Sequence, residues 1–271
     1  MASSEQSTEL MTRKERRYQE REAQILQVAR SLLRDYGLAE LTMDRIADAI
    51  NYSKPVVYQH FPCKEEIVLA LAIQSALIRL KLHERVLQFK GNPRERIIAS
   101  GEATVVLQDH LQCELLILTD ALSSKISEER LQLYHTAMRR TIVMASTIVE
   151  DAVAAGDLTP PEDLSPEAFT FSLWATTFGG LSLLSTGTGF LQTLGSSRGR
   201  RIPENIYLGR MFGRALLDAY GWRPLSTEWD YRETVRRIYR EVYPPELVEG
   251  SVLYDIIGDS LISADVADSL D

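Results

Sequence analysis

The sequence predicts an all-α protein, a small N-terminal three-helix unit followed by a larger helical domain. Three observations predict it. Apolar residues recur at intervals of three and four along the chain, with no series of alternating runs that would read as strands. Cap and stop residues punctuate those runs. All ten prolines fall in turns or first helical turns, where a missing N–H costs no intrahelical hydrogen bond.

The elements follow in order. Thr12-Arg13-Lys14-Glu15 has the form of a capping box and opens a first helix, whose apolar positions Ile25, Leu26, Ala29, Leu32 and Leu33 repeat until Gly37 ends it. Thr42 caps a short helix through Ala49 and Ser53 a second through His60, joined by Ile50-Asn51-Tyr52. Lys64 to Phe89 reads as one long helix closed by Gly91. Asn92-Pro93 with Glu95 at the third position, and Ser165-Pro166, are starts of the N-cap plus proline type. Helices over 92–112, 114–123, 127–155, 165–187, 203–220 and 227–242 complete the series. The expected organisation is an N-terminal arm, 1–17, a helix-turn-helix domain, 18–78, a helical domain, 79–245, and an acidic tail, 246–271.

Composition narrows the class. With 271 residues, 45% hydrophobic and 25% charged, the chain can bury a sizeable core and is not of disordered type. Cys63 and Cys113 are too few for a disulfide framework, and no apolar leader with a cleavage site follows the N-terminus, so a cytoplasmic protein with reduced thiols is expected. Ala168 to Ser197 is uncharged, long enough to raise a membrane span. Its many Thr, Ser and Gly and the lack of a preceding basic flank favour a buried helix and no membrane partner. The sequence holds no Gly-rich phosphate loop, no Gly-x-Ser-x-Gly elbow and no His-Glu-x-x-His. His110-x-x-Cys113 offers too few ligands for a structural zinc. No catalytic residue, cofactor or metal is therefore expected.

A formal charge of −8 argues against nucleic acid until its distribution is read. Residues 11–64 carry ten Lys/Arg against seven Asp/Glu, a balance of +3, whereas 241–271 carry eight acidic residues and no Lys or Arg. An acidic body with a positive end can still bind DNA through one face.

Within that positive end, Ile46-Ala47-x-x-Ile50-Asn51-Tyr52-Ser53-x-Pro55-Val56-Val57-Tyr58-Gln59-His60-Phe61-x-x-Lys64-Glu65-Glu66-Ile67 resembles the helix-turn-helix signature of the TetR (tetracycline-repressor) family. Ile25-Leu26, Ala29, Leu33, Gly37 and Thr42 fall where that family's first helix and second-helix start belong. The physics of these residue types is independent of the family. Ile46, Ala47, Ile50, Val57 and Phe61 are spaced to seal a three-helix core, with Ala47 small enough for the two short helices to cross closely. The turn needs a residue that tolerates positive φ, and Asn51 supplies it where the family usually has Gly. Pro55 also stands where a Gly is frequent in the family.

The resemblance implies a sequence-specific, double-stranded-DNA-binding transcriptional regulator, typically a repressor released by a small-molecule effector. The alternative is a helical ligand-binding protein with a vestigial helix-turn-helix; Tyr58 and Lys64, whose loss would mark that case, are present. If the helix from Ser53 to His60 is the recognition helix, Lys54, Pro55, Val56 and Gln59 face the major groove. By resemblance, Thr42, Tyr58, His60 and Lys64 anchor phosphates. Arg13, Lys14, Arg16 and Arg17 are either an arm on DNA or a solvated helix face. The resemblance also implies a homodimer. Trp174, Phe178, Gly179 and Ser182 on one helix and Gly209, Phe212, Gly213 and Leu216 on another are the expected interface, or else intrachain packing. Gln108, Gln112, Cys113, Tyr134 and Met138 are the expected lining for a small hydrophobic or amphipathic effector, or else ordinary satisfied or exposed residues.

Overall fold

A computed structural model of the chain describes residues 13–106, 126–185 and 213–243. Every regular element among them is helical. The elements are α1 (Arg13–Tyr36), a 3₁₀ turn (Leu38–Glu40), α2 (Met43–Ala49), α3 (Lys54–His60), α4 (Lys64–Gln88), α5 (Pro93–Val106), α6 (Glu128–Ala154), α7 (Pro166–Ser185), α8 (213–219) and α9 (Tyr231–Glu241). The expected helix 114–123, the end of 92–112 and most of 203–220 lie outside the described residues. The chain divides into two compact units, 1–71 and 72–271, and the division falls within α4.

In the first unit α1 buries Ile25, Leu26, Ala29 and Leu33, one face of a helix, against Ile46 and Ala47 of α2 and Val57 of α3, with Phe61 fully buried at the end of α3. Leu32 and Ile50 are half-buried at the margin. Gly37, at φ 77°, ends α1 by donating its N–H to the Leu33 carbonyl at 2.9 Å. Thr42 Oγ1 accepts the Arg45 N–H at 3.2 Å and starts α2.

The second unit closes around Val86, Phe89, Ala99, Ile148, Val149, Phe169, Trp222 and Ile238, contributed by α4 to α7, α9 and the turn before it. Asn92 and Glu95 form a reciprocal capping box at α5: Asn92 Oδ1 accepts the Glu95 N–H at 2.9 Å, and Glu95 Oε2 accepts the Asn92 N–H at 3.0 Å. The other oxygen of Glu95 accepts from Thr234 and Arg237, so one side chain both starts α5 and holds α9. Arg94, fully buried, donates to the Trp222 carbonyl and to Asp218. On α4, buried His83 has Nδ1 2.9 Å from the Arg79 carbonyl and Nε2 2.7 Å from Ser100 Oγ. A carbonyl only accepts, so Nδ1 carries the proton and Nε2 accepts from the serine. Burial pushes this imidazole's pKa down to about 4.

The last helix corrects an expectation. It begins at Tyr231 rather than 227, because Asp230 caps the Arg232 and Glu233 N–H groups at 3.0 and 3.1 Å, while Glu228 closes a separate turn onto the Leu225 N–H at 2.8 Å. Residues 168–185 of the uncharged run belong to α7, with Phe169 and Thr170 buried, and the rest of the run lies outside the described residues. No helix among the described residues is long and apolar enough to cross a membrane.

Candidate nucleic-acid interface

The link between α2 and α3 is built from local chemistry. Asn51 stands at φ 59°; its N–H reaches the Asp48 carbonyl at 3.2 Å, and the Tyr52 N–H reaches the Ala47 carbonyl at 3.0 Å. These two bonds are a Schellman end, which needs a left-handed residue. Tyr52 then anchors back on α1, donating to Gln24 Oε1 at 2.5 Å with the Arg21 guanidinium 5.9 Å from its ring centre.

Ser53 takes the N-cap position of α3 with extended backbone, but its side chain makes no cap hydrogen bond. That corrects the expected side-chain cap. An N-cap oxygen normally serves the second or third helical N–H, and the second residue here is Pro55, which has none. The helix is instead started by the Val56 N–H donating to the Ser53 carbonyl at 2.9 Å.

Of the residues expected to read bases, Lys54, Pro55 and Gln59 are exposed and Val56 is half-buried. Thr42 and Tyr58 are also exposed, and Lys64 is half-buried at the start of α4. His60 differs from its expected role as a phosphate anchor. It is only 6% exposed, its ring is stacked on Tyr18 with centroids 4.1 Å apart, and its Nδ1 has no partner. Burial lowers its pKa. Its alternation with exposed Tyr58 and Gln59 puts it on the inner side of a short helix, where α1 covers it.

Two contacts escape sequence reasoning. Tyr18, from the first turns of α1, donates its hydroxyl to the Gln59 carbonyl at 3.4 Å, so the carboxyl end of α3 is tied to α1. Lys54 Nζ lies 2.7 Å from Asp44 Oδ2, and this carboxylate, with Asp48 near it, holds the ammonium pKa above its usual value. Partners 41 and 10 residues apart leave no local signature. Arg45 is likewise engaged, paired with Glu40 and 4.7 Å from the centre of the Tyr36 ring. Arg13, Lys14, Arg16 and Arg17 are exposed along the start of α1.

In the second unit, Tyr134 is buried and Met138 half-buried one turn apart on α6; Gln108, Gln112 and Cys113 lie outside the described residues. On α7, Phe171, Trp174 and Phe178 form a row with centroids 5.6 and 5.1 Å apart, Phe171 being 54% exposed. Among the described residues, nothing beyond their own helix backbone and chain neighbours stands within 4 Å of where a side chain would leave Gly179 or Gly213. Leu216 is half-buried on α8 and Ser182 belongs to α7, while Gly209 and Phe212 lie outside the described residues.

Residues 25–71 match the family model described as bacterial regulatory proteins, tetR family. A curated relative, the HTH-type transcriptional activator FasR of Mycolicibacterium smegmatis, is 34% identical over 91 residues, 34% of this chain and 42% of FasR. The chain thus spans less than half of FasR's length. The uncharacterized HTH-type transcriptional regulator Rv1556 of Mycobacterium tuberculosis is 28% identical over 155 residues, 57% of this chain and 70% of that protein. Among solved structures, a TetR/AcrR-family regulator from Thermobifida fusca has a TM-score of 0.54 at 23% identity, covering 74% of this chain and 98% of its own. A regulator from Saccharomonospora viridis, solved with choline, has a TM-score of 0.57 at 18% identity, covering 74% and 96%. These two show a shared fold.

Proposed function

We propose that the chain, whose residues 25–71 match the tetR family model, is a TetR-family regulator, a homodimeric repressor that reads a pseudo-palindromic operator through α3 and leaves it when a small hydrophobic or amphipathic effector binds the second unit. The observation that carries the reading is the left-handed Asn51 turn, which presents Lys54, Pro55 and Gln59 together on the exposed side of α3. Gln59 suits the N6/N7 edge of adenine, Lys54 the acceptors of guanine, and Pro55 or Val56 a thymine methyl. Thr42 can cap α2 and still donate to a phosphate, since a hydroxyl has one hydrogen and two lone pairs; Tyr58 and Lys64 complete the phosphate contacts. His60 acts from below, by packing.

Two-fold symmetry is what a pair of half-sites demands. The row Phe171, Trp174, Phe178 and, among the described residues, the absence of a neighbour against Gly179 and Gly213 support α7 and α8 as the face that a second copy covers. Tyr134 and Met138, one turn apart, are the described part of the effector site. Helix α4, which contains residues of both units, is the connecting lever, and effector binding favours one placement of it over another. FasR is an activator by name; a repressor differs from it in that DNA binding blocks transcription.

The test is selection of duplexes from a random pool, followed by a reporter carrying the selected sequence. Specific capture with lower expression supports the reading. Capture with raised expression makes the chain an activator, and absence of capture leaves a helical ligand-binding protein.

A further inference from the structure

Lys54 offers a charge to DNA from the first position of α3, yet the structure does not leave it alone. Its ammonium sits 2.7 Å from Asp44 Oδ2, and Asp48 stands one helical turn further along α2. Both members of the pair are more than half exposed, and Lys54 is one of the residues assigned above to base edges. An acidic residue in a surface meant for a polyanion opposes binding, so its position calls for a physical reason.

We propose that Asp44 is a specificity-determining residue, holding Lys54 for a base edge and denying it to the phosphate backbone. The proposal rests on the DNA-binding reading above. A lysine is a point charge on a flexible stem and by itself serves any phosphate within reach. With one of its three N–H donors bound to Asp44, two remain, enough for the O6 and N7 acceptors of a guanine. Those acceptors carry only partial negative charge and repel the neighbouring carboxylate weakly. A phosphate oxygen carries a formal charge and repels it strongly. The pair therefore favours guanine in the groove over backbone anywhere, and the preference grows as the interface excludes water and the local dielectric falls. Arg45, kept by Glu40, leaves the helix-turn-helix pair with little uncommitted positive charge. General attraction then falls to other cations of the unit, Lys64 and the exposed start of α1.

The experiment uses the full-length dimer, a duplex selected from a random pool, and a random-sequence duplex of equal length, each titrated across salt concentrations. Asp44→Asn frees Lys54: affinity for the random duplex rises about fivefold, as loss of an exposed ion-pair partner allows. The slope of log affinity against log salt steepens by about one unit, one more phosphate being neutralised. Preference for guanine at one position of each half-site weakens. Asp44→Glu, which keeps the charge, stays close to the parent, and matched thermal melts establish that all variants fold. Lys54→Met abolishes the guanine preference, and adding Asp44→Asn to it changes random-duplex affinity little. Unchanged random-duplex affinity in Asp44→Asn overturns the proposal. So does an equal gain in the Lys54→Met background, which would make Asp44 a general repulsive charge. A parent protein that binds neither duplex removes the DNA-binding reading as well, and so is told apart from both.

Discussion

Gln59 and Lys64 are both polar and five positions apart, but the proposed interface assigns them to different parts of a duplex. Gln59 is exposed on α3, with its carbonyl tied to Tyr18, and its amide matches the donor and acceptor edge of adenine. Gln59→Ala is expected to relax preference at one or two base pairs, with a loss of about 1–3 kcal/mol on the selected duplex and little change on random DNA. Lys64→Ala is expected to weaken both duplexes alike and to reduce the salt slope by about one unit. Paired titrations against selected and random DNA check both; equal effects from the two substitutions would refute the division of roles. His83 acts on stability rather than on DNA. Its pKa falls from 6.5 to about 4 on folding, so the unfolded chain binds its proton first as the medium is acidified. Stability present above pH 6.5 is lost as pH falls towards 4, by up to about 3 kcal/mol at about 1.4 kcal/mol per unit. His83→Gln, which cannot take up that proton, is expected to flatten the fall in melting temperature over the same window, as calorimetry across pH would show.

At the scale of elements, short-range chemistry sets the boundaries. The Asn92–Glu95 box and the Thr42 cap each satisfy helix N–H groups with side chains at most three residues away, and both were legible in the sequence for that reason. Asn51 belongs with them. At its φ of 59° a β carbon costs about 1–2 kcal/mol for most residues, while asparagine tolerates the conformation and glycine is free in it. Asn51→Gly is therefore expected to keep or slightly raise the melting temperature of the first unit and to keep DNA binding. Asn51→Val is expected to lower both, by about 1–2 kcal/mol or more in stability. Thermal melts with gel shifts on the same preparations check the pair. The start of α9 was misplaced because Thr227-Glu228 and Asp230 are both plausible starts, and the choice fell to Asp230 when Glu228 was drawn onto the Leu225 N–H and Arg223.

On the scale of the whole molecule, the contrast between a +3 balance over 11–64 and the eight acidic residues of 241–271 discourages non-specific adhesion outside the first unit. Half-site recognition requires two copies, and the aromatic row of α7 supplies apolar area suited to an interface. Phe178→Glu would place a charge within that row. The expected result is a monomer by light scattering with its helix content intact, and a large loss of affinity for the full operator with less loss for a single half-site. A variant that remains dimeric would show that the row packs within its own chain. Regulation is bound by reciprocity: an effector that weakens operator binding by some factor is itself bound more weakly by that factor on the operator complex, with couplings of about 1–3 kcal/mol.

By itself the sequence determined the all-helical class, the helix-turn-helix and its caps, because each depends on residues within one or two turns of one another. Thr42 with Arg45, Asn51 with Asp48, and Asn92 with Glu95 meet however the remaining chain is arranged. Tertiary structure alone decided that His60 is covered by Tyr18, that Lys54 answers to Asp44, and that Arg94 is buried against Asp218, 124 positions away. Such pairs form when packed helices bring distant side chains within a few ångströms, and whether a polar residue faces solvent or a neighbouring helix follows from that packing rather than from its own neighbours in the chain.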